Sequence, residues 1–400
     1  MDPLFANGVD LTIVLIVVFK TVVVFAFLLI ATMFMVWFER KIVGDMQNRI
    51  GPNRAGPFGI LQTLADGIKL FFKEDLLPDR ADKRIFRLAP YLSLVPAFLT
   101  FSIIPIGGVF HGGSETPGTI SIFGHRTFFQ LADPPVGILV ALACSSIAVY
   151  GVMLAGWSSG SKYPLLGSVR ASAQMVSYEA ALGLSVVAVI LTSETGVLGT
   201  HAIVAGQARG LGYWNILATG VVPFFIFLIA ATAELNRPPF DLVEAEQELV
   251  GGFNTEYSSI RFALFFLAEF MNVITMSGII ITLFLGGPSG PLLFGPDFIW
   301  PLFWFFGKLL CFLFLFVWFR ATLPRFRYDQ LMDLGWKMLI PLSLGWLLVV
   351  AAIRVGSDEG WNPVLVVGVC GLGLVTAGSL LRVAMRTARY RRELGEVEVH

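Results

Sequence analysis

Long apolar runs separated by short polar stretches fill nearly the whole chain. Nine runs stand out, at about 11–38, 88–107, 135–156, 172–192, 214–233, 260–285, 299–320, 338–354 and 361–382. A helix rising 1.5 Å per residue needs ~20 residues to cross ~30 Å of hydrocarbon. The pattern therefore predicts an all-α polytopic membrane protein with about nine transmembrane helices, of which 338–354 is the shortest. Residues 57–75, PFGILQTLADGIKLFFKED, follow another rhythm. Phe58, Leu61, Leu64, Ala65, Ile68, Phe71 and Phe72 recur at helical spacing, while Gln62, Asp66, Lys69 and Lys73 take the other face. Pro57 suits a first helical turn and Pro78 follows the end. This predicts one amphipathic helix at the cytoplasmic surface. It either simply lies there or walls a cavity with Asp66 or Lys69 turned inward. No internal repeat or matched pair of broken spans points to an inverted-repeat transporter.

Charge sets the orientation. With the N-terminus outside, the inner segments are 39–87, 157–171, 234–259, 321–337 and the tail. These segments and the adjoining helix ends hold 23 of the 28 Lys and Arg residues. Only Arg126, Arg209 and Arg354 fall outside, and Lys20 and Lys308 lie within spans. That asymmetry places the C-terminus in the cytoplasm. The chain is 56% hydrophobic and only 14% charged over 400 residues, against about 25% charged in soluble domains. The first apolar run, Leu11 to Phe38, exceeds a signal-peptide core, so no cleavable leader is expected. Cys144, Cys311 and Cys370 are isolated, and no CxxC, HExxH, GxGxxG or Walker sequence occurs. Iron–sulfur, zinc, haem and nucleotide binding are therefore not expected of this chain, and neither is nucleic acid.

Against this background, residues 234–256 are anomalous. The stretch ELNRPPFDLVEAEQELVGGFNTE carries six carboxylates (Glu234, Asp241, Glu244, Glu246, Glu248, Glu256) and one base, Arg237, on the side that should collect cations. Carboxylates this close titrate as a coupled set, with some pKa values expected to rise. Glu244 and Glu248 would stand four apart on a helix and repel. Pro238 and Pro239 favour extended backbone around Arg237. Two further carboxylates, Glu179 and Glu269, fall inside apolar runs. They lie seven to nine residues from the cytoplasmic ends of those runs, about 10–14 Å deep. A carboxylate at such a place must be paired, hydrated or neutral. Together with Glu234 these residues outline an acidic path from the cytoplasmic surface into the membrane. The alternatives are a solvated loop and neutral, hydrogen-bonded carboxyls. The first inner loop, FERKIVGDMQNRIGPNRAGP, alternates Arg40, Lys41, Arg49 and Arg54 with Gly and Pro. It reads either as a loop on anionic lipid or as an ordered contact for a partner. Lys20 and Lys308 are expected to snorkel or pair, Lys308 being the better functional candidate of the two. The many Phe residues read as lipid-facing packing.

The stretches ERKIVGDMQNRIGPNRAGPFGILQTLADGIKLFFKED, SKYPLLGSVRASAQMVSYE and AELNRPPFDLVEAEQELVGGFNTEYSSIRFALFFLAEF resemble signature regions of the H subunit (subunit 1) family of respiratory complex I. The likeness runs from about 12 to 350. It implies a membrane subunit of a proton-pumping NADH–quinone oxidoreductase, a translocase, in the bacterial plasma membrane. It implies quinone as substrate, with no metal, flavin or iron–sulfur cluster held by this chain. Partners would be other membrane-arm subunits, the iron–sulfur and quinone-site subunits of the peripheral arm, and lipid. The resemblance places Glu39, Arg40, Asp66 and Glu74 at the quinone tunnel or its peripheral-arm interface. It places Glu179, Glu234, Asp241, Glu244, Glu246, Glu248, Glu256 and Glu269 along the acidic path or its mouth. Residues 1–354 would form the family's eight-span domain, and 355–400 an added ninth span with a basic cytoplasmic tail. The rival readings are the equivalent subunit of a membrane-bound hydrogenase, a stand-alone secondary ion transporter and a structural anchor.

Overall fold

The computed structural model describes residues 2–5, 8, 10–110, 117–122, 124–193, 198–241, 250–291 and 298–362, with scattered positions from 365 to 387. The helices are α1 (Leu11–Met46), α2 (Gln62–Phe72), α3 (Lys83–Ser102), α4 (Gly137–Ser158), α5 (Lys162–Thr192), α6 (Thr200–Gln207), α7 (Asn215–Ala218), α8 (Val221–Glu234), α9 (Ser259–Phe284), α10 (Ile299–Thr322) and α11 (Tyr328–Asp358). Among the described residues, seven of them are long and apolar enough to span a membrane, and α8 is a shorter apolar helix. These eight match the first eight predicted spans; the predicted ninth, 361–382, lies largely outside the described residues, as does the tail.

Several boundaries differ from expectation, each for a local reason. The segment 157–171 was expected to be a loop, yet only Ser159–Ser161 separates α4 from α5. Its polar residues are accommodated within the helix, Ser168 returning its hydroxyl to the carbonyl of Leu165. The expected loop 321–337 is likewise mostly the start of α11, which runs 31 residues through a π-helical turn at Leu334–Leu339. Its charges pair along the helix, Lys337 reaching Asp333 at 2.6 Å. The expected span 214–233 is broken. Gly220, at φ 71°, separates α7 from α8, and a Cβ there would lie 2.7 Å from the Trp346 ring. The stretch between α3 and α4 holds a two-stranded hairpin, β1 (Thr119–Ile122) with β2 (His125–Phe128), which the hydropathy pattern did not reveal.

Helix α9 is the most enclosed of the long helices, whereas α1 is largely exposed. It forms the axis around which α1, α3, α10 and α8 pack. In lipid, apolar contact between helices gains little from transfer out of water, so close packing and internal hydrogen bonds hold such bundles. The helix breaks are capped accordingly. The Gln207 amide donates to Thr282 O (2.9 Å), while its oxygen accepts from the Asn215 and Gly286 N–H groups. Lys308 donates to the carbonyls of Leu285, Gly287 and Ser289 at 2.7–2.9 Å. Lys20 reaches Thr127, Phe128 O and Asp2. Both lysines thus tie a helix to neighbouring loops.

Candidate functional site

The end of α8 sets up the site. The backbone turns at Asn236, whose φ is 50°, and the Arg237 N–H bonds Thr232 O at 3.2 Å. This turn swings the Arg237 side chain into the bundle instead of outward. Gln174 of α5 pins it, its amide lying 2.7 Å from Ala233 O and 3.0 Å from Phe240 O. The Arg237 guanidinium then holds both oxygens of Glu39 on α1, at 3.1 and 3.0 Å, and Glu269 on α9 at 3.1 Å. It stacks over the Phe270 ring at 4.4 Å. Arg320 of α10 pairs with Glu39 as well. Arg237 and Glu39 side chains are each only 6% exposed. Charges so enclosed persist only when paired and hydrogen-bonded, and here three helices and one turn supply the partners.

A sequence of cavities runs past this cluster. The first, of ≈ 580 Å³, lies between α1, α2 and α9 and is lined mainly by apolar side chains, among them Met33, Leu64, Phe71 and Leu267. At its edge Arg40 pairs with Asp66 at 2.7 Å, and Lys69 stands 3.8 Å from Asp66. Val36, Arg40 and Phe266 also line a second cavity of ≈ 270 Å³, with Glu39, Arg49, Glu269 and Arg320. Glu269 lines a third, narrow one with Glu234, Asn254 and Asn272, and Glu234 lines a fourth with Ser145 and Thr275. Ser145 donates to Glu234, and the neighbouring Ser146 donates to Glu179. The second Glu234 oxygen is buried without a hydrogen-bond partner among the described residues.

The structure therefore brings together Glu39, Arg40, Asp66, Glu269, Glu234 and Glu179 of the predicted residues. Asp241 is buried and pairs with Arg325 at 3.1 Å. Glu74 is not brought to the cavity. It is exposed past the end of α2, and its backbone carbonyl accepts from Ser258. Glu256 is half-buried in the stretch before α9. Glu244, Glu246 and Glu248 lie outside the described residues. Sequence reasoning did not single out Arg237, Arg320, Ser145, Ser146 or Asn272 as site residues. Adjacent hydroxyls inside an apolar run were the available signal for the two serines. Arg320 carried none beyond its place at a span end.

Comparison with known proteins identifies the family. The family model described as NADH dehydrogenase matches residues 19–351. A protein of Frankia casuarinae, named as the H subunit of NADH-quinone oxidoreductase, is 54% identical over 391 residues, covering 96% of this chain and 82% of that protein. A Frankia alni protein of the same name is 54% identical over 392 residues, covering 96% and 82%. One from Streptomyces avermitilis is 49% identical over 352 residues, covering 86% and 75%. The chain belongs to this NADH dehydrogenase family, among the H subunits of NADH-quinone oxidoreductases.

Proposed function

We propose that this chain, as the membrane-embedded H subunit of a proton-translocating NADH–quinone oxidoreductase, receives quinone in the cavity beneath α2 and passes the resulting charge change to the acids beyond it. The observation that carries this reading is the shared lining. Arg40, Val36 and Phe266 face both the apolar cavity and the one containing Glu39, Glu269 and Arg320. An apolar slot with a charged end suits an isoprenoid-tailed molecule with a polar head. The electrons come from partner subunits. Reduction of the quinone draws protons and alters the field at Arg40 and Asp66, and the Arg237 cluster relays that change to Glu269, then Glu234 and Glu179. The residues that supply the path are Glu39, Glu269, Glu234 and Glu179, with Asp241, Glu256 and the acids at 244, 246 and 248 at its mouth. The setting is a bacterial plasma membrane with the acidic loop on the cytoplasmic side, facing the peripheral arm. The names of the relatives favour this over a hydrogenase-type subunit or a stand-alone transporter.

The test is Asp66→Asn in the assembled complex. Breaking the Arg40 pair removes one charged wall of the cavity and should raise the KM for a short-chain quinone, with NADH oxidation by ferricyanide unchanged. Unaltered quinone kinetics in that variant remove the cavity beneath α2 from the reaction.

A further inference from the structure

Helix α2 is the most lightly held wall of the large cavity. None of its residues is buried, and Phe71 and Phe72 are 66% and 83% exposed. Its near end is fixed to α1 by Thr63 donating to Met33 O and Trp37 donating to Phe58 O. Its far end is held from the chain just past the acidic loop. The Ser259 hydroxyl lies 3.1 Å from Leu70 O and 2.8 Å from Lys73 O, carbonyls that a helix C-terminus leaves without backbone partners. The Ser258 hydroxyl donates to Glu74 O and accepts from the Leu76 N–H at 2.9 Å. Arg261 closes the contact on Asp75 at 2.8 Å. Ser259 makes these bonds from φ 55°, a backbone that L side chains rarely adopt.

The other end of this short segment is anchored on α5. Gly252, at φ 58°, packs so closely on Gly167 that a Cβ on Gly167 would come within 2.8 Å of Gly252 Cα. Tyr257 lies between the two anchors, stacked on Phe86 of α3 with ring centroids 4.0 Å apart. Residues 252–261 thus connect α5, which carries Glu179, to α2, which walls the cavity.

We propose that Ser259, seconded by Ser258, is a positioning residue for the quinone cavity: it holds the end of α2 in place and makes that placement depend on the end of the acidic loop. The proposal rests on the reading of the cavity as the quinone site. It predicts that the hydroxyl matters, not the backbone shape.

Two substitutions in the intact complex separate these. Ser259→Gly relieves the left-handed backbone but deletes the donor. Ser259→Asn tolerates that backbone and offers an amide donor to the same carbonyls. S259G should raise the KM for a short-chain quinone about five-fold, the net worth of one hydrogen bond. Its kcat and ferricyanide reduction should stay near wild type, and S259N should restore the KM. An unchanged KM in S259G while D66N is altered overturns the strap and leaves the quinone reading standing. Unchanged KM in both overturns the quinone reading itself. Should S259G fail to assemble, Ser258→Ala, which deletes only the contacts to Glu74 and Leu76, decides the matter. A raised KM there supports the strap, and a wild-type KM overturns it.

Discussion

Arg237 is the residue on which the buried charges depend. It faces Glu39, 198 positions away in sequence, and Glu269 at once. Arg237→Gln would leave Glu39 with Arg320 but take from Glu269 the guanidinium that faces it. Removing one partner of an enclosed ion pair costs about 3–5 kcal/mol. The expected result is a clear drop in the melting temperature of the purified complex, with Arg237→Lys intermediate because one ammonium cannot hold both carboxylates. A melting temperature equal to wild type for R237Q would mean that water, not Arg237, neutralises these acids. The individual acids were legible in the sequence because a carboxylate in an apolar run is conspicuous by its cost. Their partners were not. Arg237 looked like a lone base in an extended stretch, and nothing local shows that its turn points the side chain inward.

At the level of elements, the apolar period located eight helices because membrane spans must satisfy their backbone internally. It failed where polar residues remain helical beyond the apolar slab, as in the first turns of α5 and α11. It also failed where a glycine interrupts an apolar run, as between α7 and α8. The hairpin escaped because its strands are only four residues each. That hairpin carries a pH dependence. His201 of α6 stacks on Phe128 of β2, ring centroids 3.8 Å apart, and meets the Phe110 ring at a tilt, centroids 5.1 Å apart. Burial pushes its pKa below the ordinary 6.5, only partly countered by Asp133. The unfolded imidazole therefore takes up a proton before the packed one does. The packing is at full strength above pH 6.5 and weakens as pH falls towards the depressed value. Hairpin amides should exchange faster at about pH 5 than at about pH 7.5, after correction for intrinsic rates, and His201→Phe should abolish the difference. Equal pH dependence in the variant would assign the effect elsewhere.

For the whole molecule, the consequence is a division of labour. The large apolar cavity and the one holding Glu39 and Glu269 share Val36, Arg40 and Phe266, and on the proposed reading that wall is where quinone and acids would be coupled. Glu179→Gln and Glu269→Gln, each in the assembled complex, should lower the proton-to-electron ratio in sealed vesicles more than they lower the rate of quinone reduction. A wild-type ratio in both variants would sink the acidic path. One dimension of the bundle bears on the energetics of that path. Helix α8 has 14 residues, about 21 Å of rise against ~30 Å of hydrocarbon. On the proposed orientation α8 alone does not reach both membrane surfaces, and its last residue, Glu234, is buried with Arg237 and Asp241 just beyond it. A membrane potential drops across insulating material, so wherever polar groups carry the cytoplasmic phase inward, that phase's voltage is carried inward too. On that orientation Glu234 would be electrically closer to the cytoplasm than its burial alone suggests. On the proposed path, a proton arriving there would have crossed only a small share of the field, and the steps against most of the roughly 2.3 kcal/mol per 100 mV would fall to the groups beyond it.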